Sequence, residues 1–208
     1  MGPLHPLHKE EVIAAYAAVM TPRTRLLHVT SPINITGHVL PVAKICAIAQ
    51  AAAAEVIVVA AYSIILLDTK VRDLGCDYLG TSLHKWMAAP RGLGMLYVRR
   101  DRIEKGWPLM GGVSRERGEI RKLEQLGTRP ESAHGGLLEA IRLHEEIGPA
   151  HKLARMRFLH ARWSEALREV PGVVVNTPLD ATCHAAVGNV GLAGVPLREL
   201  ADYLWGKY

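Results

Sequence analysis

Aromatic side chains make up only 5% of the 208 residues, and there are three cysteines, Cys46, Cys76 and Cys183. An odd number with no Cys-x-x-Cys spacing argues against a disulfide framework and against a cysteine zinc site, and it predicts a reducing, cytoplasmic setting. The start Met1-Gly2-Pro3-Leu4-His5-Pro6 lacks the basic segment and apolar core of a secretory signal, so export is not expected. Long uninterrupted apolar runs are missing too. Ala47 to Leu67 comes nearest to a bilayer span, but Gln50, Glu55, Tyr62 and Ser63 break it. Its alanine-rich first half has a helical period and its second half is β-branched, which reads as helix, short turn and buried strand.

One-signed charge blocks are also lacking. The net charge is +5, yet Arg99, Arg100 and Arg102 alternate with Asp101 and Glu104, which predicts a solvated mixed-charge surface with no nucleic-acid or membrane partner. No Gly-x-Gly-x-x-Gly follows a strand and opens a helix, so a nucleotide fold using Gly92-Leu93-Gly94 is disfavoured. His144 and His151 stand seven apart across Gly148-Pro149, not four apart on one helical face, and no metal is expected there. What is present is a globular composition, 49% hydrophobic and 22% charged, enough to bury a sizeable core.

The order of elements follows from periodicity and punctuation. A helix is predicted over Lys9 to Met20, stopped by Thr21-Pro22, and a short strand over Leu26 to Val29. Turn residues Asn34 to Gly37 precede a helix opened by Pro41 and running to about Ala54. Strands are expected at Val56 to Ala61, Tyr78 to Leu83 and Gly94 to Arg99. This alternation indicates an α/β fold, whose ligands sit at the carboxyl ends of the strands. Gly106 to Arg129 reads as a long surface loop or interface segment. Helical spacing returns over Leu137 to Ile147 and from Leu153 to Val170, and strands at Val173 to Val175 and Ala185 to Val190 precede a last helix from Pro196 through Trp205. Three parts are expected: a large-domain part over 1–129, connecting helices over 130–170, and the start of a small α+β domain over 171–208.

The motif richest in chemistry is Ser82-Leu83-His84-Lys85, between an apolar run and the glycine-rich Ala89-Pro90-Arg91-Gly92-Leu93-Gly94. A lysine amine attacks an aldehyde only when its pKa is lowered by burial or by neighbouring cations, and a strand-end lysine beside His84 is expected to have both. Lys9, Lys44 and Lys152, by contrast, read as solvated.

Four segments, His28 to Pro41, Asp73 to Tyr78, Thr81 to Trp86 and Gly92 to Val98, together resemble the class V aminotransferase family, the pyridoxal-phosphate group that includes cysteine desulfurases and isopenicillin N epimerase-like enzymes. The resemblance implies part of a fold-type I large domain, a mostly parallel sheet with helices on both faces, followed by the start of a small C-terminal domain. It implies Lys85 as the aldimine-forming lysine, Ser82 and His84 near the cofactor phosphate, and Asn34 on the phenolic oxygen of the ring. It also implies Thr128 reaching the phosphate of a neighbouring subunit, hence a homodimer, and a small amino acid as substrate for transamination, epimerisation or C–S/C–N lyase chemistry.

Two departures temper that expectation. Where the family has Asp-Gly-Ala-His or Asp-Gly-Ala-Gln, this chain has Val59-Ala60-Ala61-Tyr62, so Val59 replaces the aspartate that pairs with the pyridine nitrogen. Removing one partner of such a contact costs about 2–5 kcal/mol. Family members are also about twice this long, so part of the site is expected to come from outside residues 1–208. The competing expectation is a non-catalytic remnant or assembly module that keeps the fold.

Overall fold

The computed structural model describes residues 8–111, 116–125, 127–128, 131–178 and 180–208. Helix α1 (Lys9–Val19) leads into β1 (Leu26–Thr30), and α2 (Val42–Ala51) leads into β2 (Glu55–Val59). Two single-turn helices, α3 (Ser63–Leu66) and α4 (Val71–Leu74), then precede β3 (Tyr78–Ser82) and β4 (Gly94–Val98). The sheet order is β1-β2-β3-β4, with β1, β2 and β3 parallel and β4 antiparallel to β3. Thr30 pairs with Val59 and Val59 with Gly80, so β1 and β2 end level while β3 runs on to Ser82.

Alternation along the strands decides which face is covered. Leu27 and Val29, Val56 and Val58, and Leu79 turn to one side and pack with Ile45, Cys46 and Ala49 of α2 in a single core. Burying each large aliphatic side chain contributes about 1.5–3 kcal/mol, which makes this layer the main stabilising element of the sheet. Among the described residues no helix is long and apolar enough to cross a membrane. The apolar stretch beginning at Ala47 is therefore the end of α2 followed by β2 and α3.

Strand β2 stops at Val59, earlier than its β-branched run suggests. The Ala60 carbonyl accepts from the Thr81 hydroxyl (2.9 Å) and from the Ser63 amide (3.1 Å), which turns the chain into α3. Beyond the sheet, α5 (Glu131–Ile147) begins six residues before Leu137 and includes Gly135-Gly136. Gly136 is required there, because a Cβ would run into the Pro90 ring. Through that close approach Ala140 and Leu137 reach Leu83, Met87, Ala89 and Leu93, forming a second small core.

Helix α6 (Pro149–Arg168) follows, then a separate antiparallel pair, β5 (Val173–Val175) with β6 (Val190–Leu192), and α7 (Leu197–Lys207). The strand expected from Ala185 lies five residues later. Residues 184–189 are instead occupied in packing: Gly188 is pressed against Trp163 and His160, and the Asn189 amide donates to Thr177 Oγ1 at 2.8 Å.

At the amino end of β3, Asp77 is 1% exposed. Its carboxylate accepts from the Val56 amide (2.8 Å), Arg102 Nε (2.7 Å) and Arg99 (2.8 Å). Its own amide donates to Val56 O, and its carbonyl accepts from the Arg99 amide. Asp77 thus ties β2, β3 and the end of β4 together. Asp77→Ala leaves the buried Val56 amide without its acceptor and removes one partner from Arg99 and Arg102, which keep Asp101 and Glu55, and it is expected to cost about 1–3 kcal/mol in chemical denaturation. A loss below about 1 kcal/mol would show that the network contributes no more than an exposed ion pair.

Candidate cofactor-binding site

Three adjacent parallel strands deliver three loops to one edge of the sheet. After β1 the chain breaks at Ser31 and turns through Asn34, with the Gly37 amide donating to Ile33 O and the Ile33 amide to His38 O, both at 2.8 Å. Gly37 has φ +76°, and a Cβ there would collide with the Val187 carbonyl. After β2 comes Tyr62, and after β3 the turn that carries His84 and Lys85.

That turn is closed by backbone bonds. The Ala89 amide donates to Leu83 O, the Ala88 amide to Lys85 O, and the Leu83 amide to Leu93 O. Leu83 and Ala89 point into the second core while Lys85 and His84 are exposed and Ser82 is half-buried. The burial expected of Lys85 is therefore not found. Its neighbours Leu83 and Met87 take the packing positions against α5 and leave the amine projecting. Lys85 Nζ stands 4.3 Å from the centre of the Tyr62 ring, and that ring is 6.4 Å from the ring of Trp86. Such a cation–π contact at an exposed site contributes about 0.5–1 kcal/mol. No ion pair engages Lys85 among the described residues.

Ser82 thus ends β3, and His84 and Lys85 lie on the turn that follows, with Asn34 on the loop beyond β1, two strands away. Thr128 is exposed just before α5; Arg129 of its Gly-Thr-Arg stretch lies outside the described residues. Val59 is half-buried at the last position of β2 and brings no carboxylate to this edge. Tyr62 as the ring beneath Lys85 was visible in the sequence only as a substituted family position. Lys152 was misread: it is half-buried and hydrogen-bonded to Trp86 O, since α6 folds back onto the lysine turn.

The cysteines are not part of the chemistry. Cys46, Cys76 and Cys183 are free and buried, and burial pushes the Cys46 thiol up to about 12, so its thiolate is not populated near neutrality. An exposed primary amine with a hydroxyl and an imidazole within three residues fits an aldehyde cofactor that carries a phosphate. The amine can bond the aldehyde, and the O–H and ring N–H can donate to anionic oxygens.

The C-terminal segment holds the Asn34 loop. Thr177 Oγ1 donates to Thr36 O (2.8 Å) and the Val39 amide donates to Cys183 O (2.8 Å). His184, buried, stacks on His160 at 4.4 Å and donates from Nδ1 to Pro178 O at 3.1 Å. Desolvation, with smaller contributions from His160 and Arg157, lowers His184 to about 4.

Comparison with known proteins agrees with this architecture. The Aminotransferase class-V family model matches residues 6–207. Isopenicillin N epimerase of Streptomyces clavuligerus is 31% identical over 220 residues, covering 98% of this chain and 55% of the epimerase. The apo cysteine desulfurase of Thermococcus onnurineus NA1 superposes with a TM-score of 0.78 at 25% identity, over 99% of this chain and 52% of that one. A C-DES mutant with glycine covalently linked to its PLP cofactor shares the fold with a TM-score of 0.79 at 24% identity, over 94% of this chain and 54% of that one. The fold is thus α/β with the mostly parallel sheet of these enzymes. The chain belongs to the class V aminotransferase family and spans about half the length of the relatives it matches.

The histidine contact makes stability depend on pH in a defined direction. The folded pKa of His184 is about 4 against 6.5 for the ordinary group, so the unfolded state binds more protons between those values. The contribution is complete above pH 6.5 and declines as pH falls toward 4, by at most about 1.4 kcal/mol per pH unit. His38, His144 and His160 are lowered too, with desolvation the main cause, and act in the same direction. Denaturation from pH 7 to 4.5 should show this loss, and His184→Asn, which keeps a donor for Pro178 O but does not titrate, should flatten it. An unchanged slope in the variant would assign the loss to other groups.

Proposed function

We propose that this chain is the lysine-bearing part of a pyridoxal-phosphate-dependent enzyme acting on a small amino acid, with Lys85 holding the cofactor covalently. The observation that carries this reading is the exposed Lys85 amine, on a turn beyond the carboxyl end of β3 and directly after Ser82-Leu83-His84, in a chain of this family. When bound, the cofactor supplies an electron sink for charge developing at the substrate α-carbon.

The chain's own residues have separable tasks in this reading. Ser82 and His84 donate to the phosphate, and Asn34 donates to the phenolic oxygen. With its amine free, Lys85 would move a proton at the substrate α-carbon. Transamination, epimerisation and C–S or C–N cleavage all draw on that set. Thr128 reaches a neighbouring subunit's phosphate, which makes the working unit a homodimer. The parts 1–129, 130–170 and 171–208 serve as large-domain, connecting and small-domain portions. Three buried, unpaired cysteines support a reducing, cytoplasmic setting.

Val59 favours a second reading, a non-catalytic remnant or assembly module. Without a carboxylate opposite the ring nitrogen, a protonated pyridine is not held, and any activity through Lys85 is impaired.

Lys85 is expected to be the lysine trapped when the protein is mixed with pyridoxal phosphate and reduced with borohydride, as peptide mapping would show. Labelling spread over Lys9, Lys44 and Lys152, or persisting in Lys85→Ala, would refute the assignment. Val59→Asp separates the two readings. If the ring nitrogen faces position 59, the new carboxylate should tighten cofactor binding about tenfold or more, the equivalent of at least about 1.4 kcal/mol. Lower stability with cofactor present and no gain in binding or activity would leave the remnant reading standing.

A further inference from the structure

The side chain of Lys152, on the first turn of α6, runs back to the turn that carries Lys85. Its ammonium donates to the Trp86 carbonyl at 2.8 Å and to Nδ1 of His144 at 2.9 Å. No carboxylate pairs with Lys152 among the described residues. The arrangement is specific in its chemistry. An ammonium has only donors, so the His144 imidazole must be neutral and present Nδ1 as an acceptor, with its proton on Nε2.

The acceptor on the other side matters because of where it lies. Trp86 directly follows Lys85, and its carbonyl is inside the segment closed by the bond from the Ala88 amide to Lys85 O. The Trp86 ring packs at a tilt on Tyr62, the ring over which the Lys85 amine stands. One donor on α6 therefore holds the peptide next to the reactive lysine and, through Trp86, the aromatic surface beneath it. His144 and Lys152 lie on either side of Gly148-Pro149, so the α5–α6 corner and the lysine turn are mechanically joined.

We propose that Lys152 and His144 form a clamp that positions the Lys85 turn for covalent capture of the cofactor, with Lys152 a positioning residue and His144 its support. The role in capture rests on the assignment of Lys85 above; the clamp itself rests on the two hydrogen bonds. A half-buried lysine without a carboxylate is costly unless its donors are used, and both acceptors here belong to the turn or its flanking helix.

The experiment compares the wild type with Lys152→Met, Lys152→Arg, His144→Leu and His144→Asn. One readout is amide hydrogen exchange over residues 84–89 without pyridoxal phosphate; the other is the rate of borohydride-trapped labelling at Lys85. Lys152→Met should speed exchange over 84–89 about tenfold while β1 to β3 stay protected, and should slow labelling about threefold or more. Lys152→Arg, which can still donate to the Trp86 carbonyl, should restore most of both. His144→Leu should shift them in the same direction as Lys152→Met, and His144→Asn, which offers an acceptor oxygen, should not. If Lys152→Met loosens the whole sheet, the His144 pair decides the matter alone. Unchanged exchange over 84–89 in a folded Lys152→Met or His144→Leu variant overturns the clamp, as does equal loss in both members of a pair. No Lys85 labelling in the wild type, with the exchange effect present, would overturn the cofactor assignment and leave the clamp intact.

Discussion

The rest of the structure depends on a buried carboxylate at the amino end of β3. Asp77 accepts from the Val56 amide and from two guanidinium groups while its own backbone bonds to β2 and to the residue after β4. Displacing β3 along β2 by one residue would turn Leu79 and Thr81 away from the core and separate Asp77 from the Val56 amide. The interaction that sets the register therefore lies at one end of a five-residue strand, and Lys85 at the other. A parallel sheet transmits position in this way because its strands are short, rigid and buried.

The edge where β1, β2 and β3 end is built differently. Its loops are held from outside the sheet: the Asn34 loop by Thr177 and Cys183, the Lys85 turn by α5 and Lys152. Such external support leaves polar side chains free to face a ligand, since the packing positions are filled by Leu83, Met87 and Ala89. At this edge β2 ends in the aliphatic Val59, and the Tyr62 phenol lies against the Lys85 amine.

The parts of the fold that could be read in advance were those with strong local periodicity. The helix from Lys9, the β-branched runs at Val56 and Val173 and the apolar segments around Leu79 and Leu96 all appear within a few residues of their expected places. Errors arose where a tertiary contact overrides local preference. Gly135-Gly136 precedes the helix start expected at Leu137 but lies in α5, because the missing Cβ lets the helix approach Pro90. Residues 185–189 looked like a strand but are drawn into contacts with Thr177, His160 and Trp163.

The sequence by itself determined the alternating α/β order, the strand-end location of Ser82, His84 and Lys85, and the absence of an aspartate at position 59, because these follow from side-chain pattern and residue identity. Tertiary structure alone decided that Lys85 is exposed over Tyr62, that Lys152 reaches back to Trp86 O, and that Thr177 and Cys183 brace the loop bearing Asn34. Contacts between residues 66 and 141 positions apart leave no trace in local periodicity. They arise only when the helices and strands have been packed and each buried donor must find the acceptor that remains within reach.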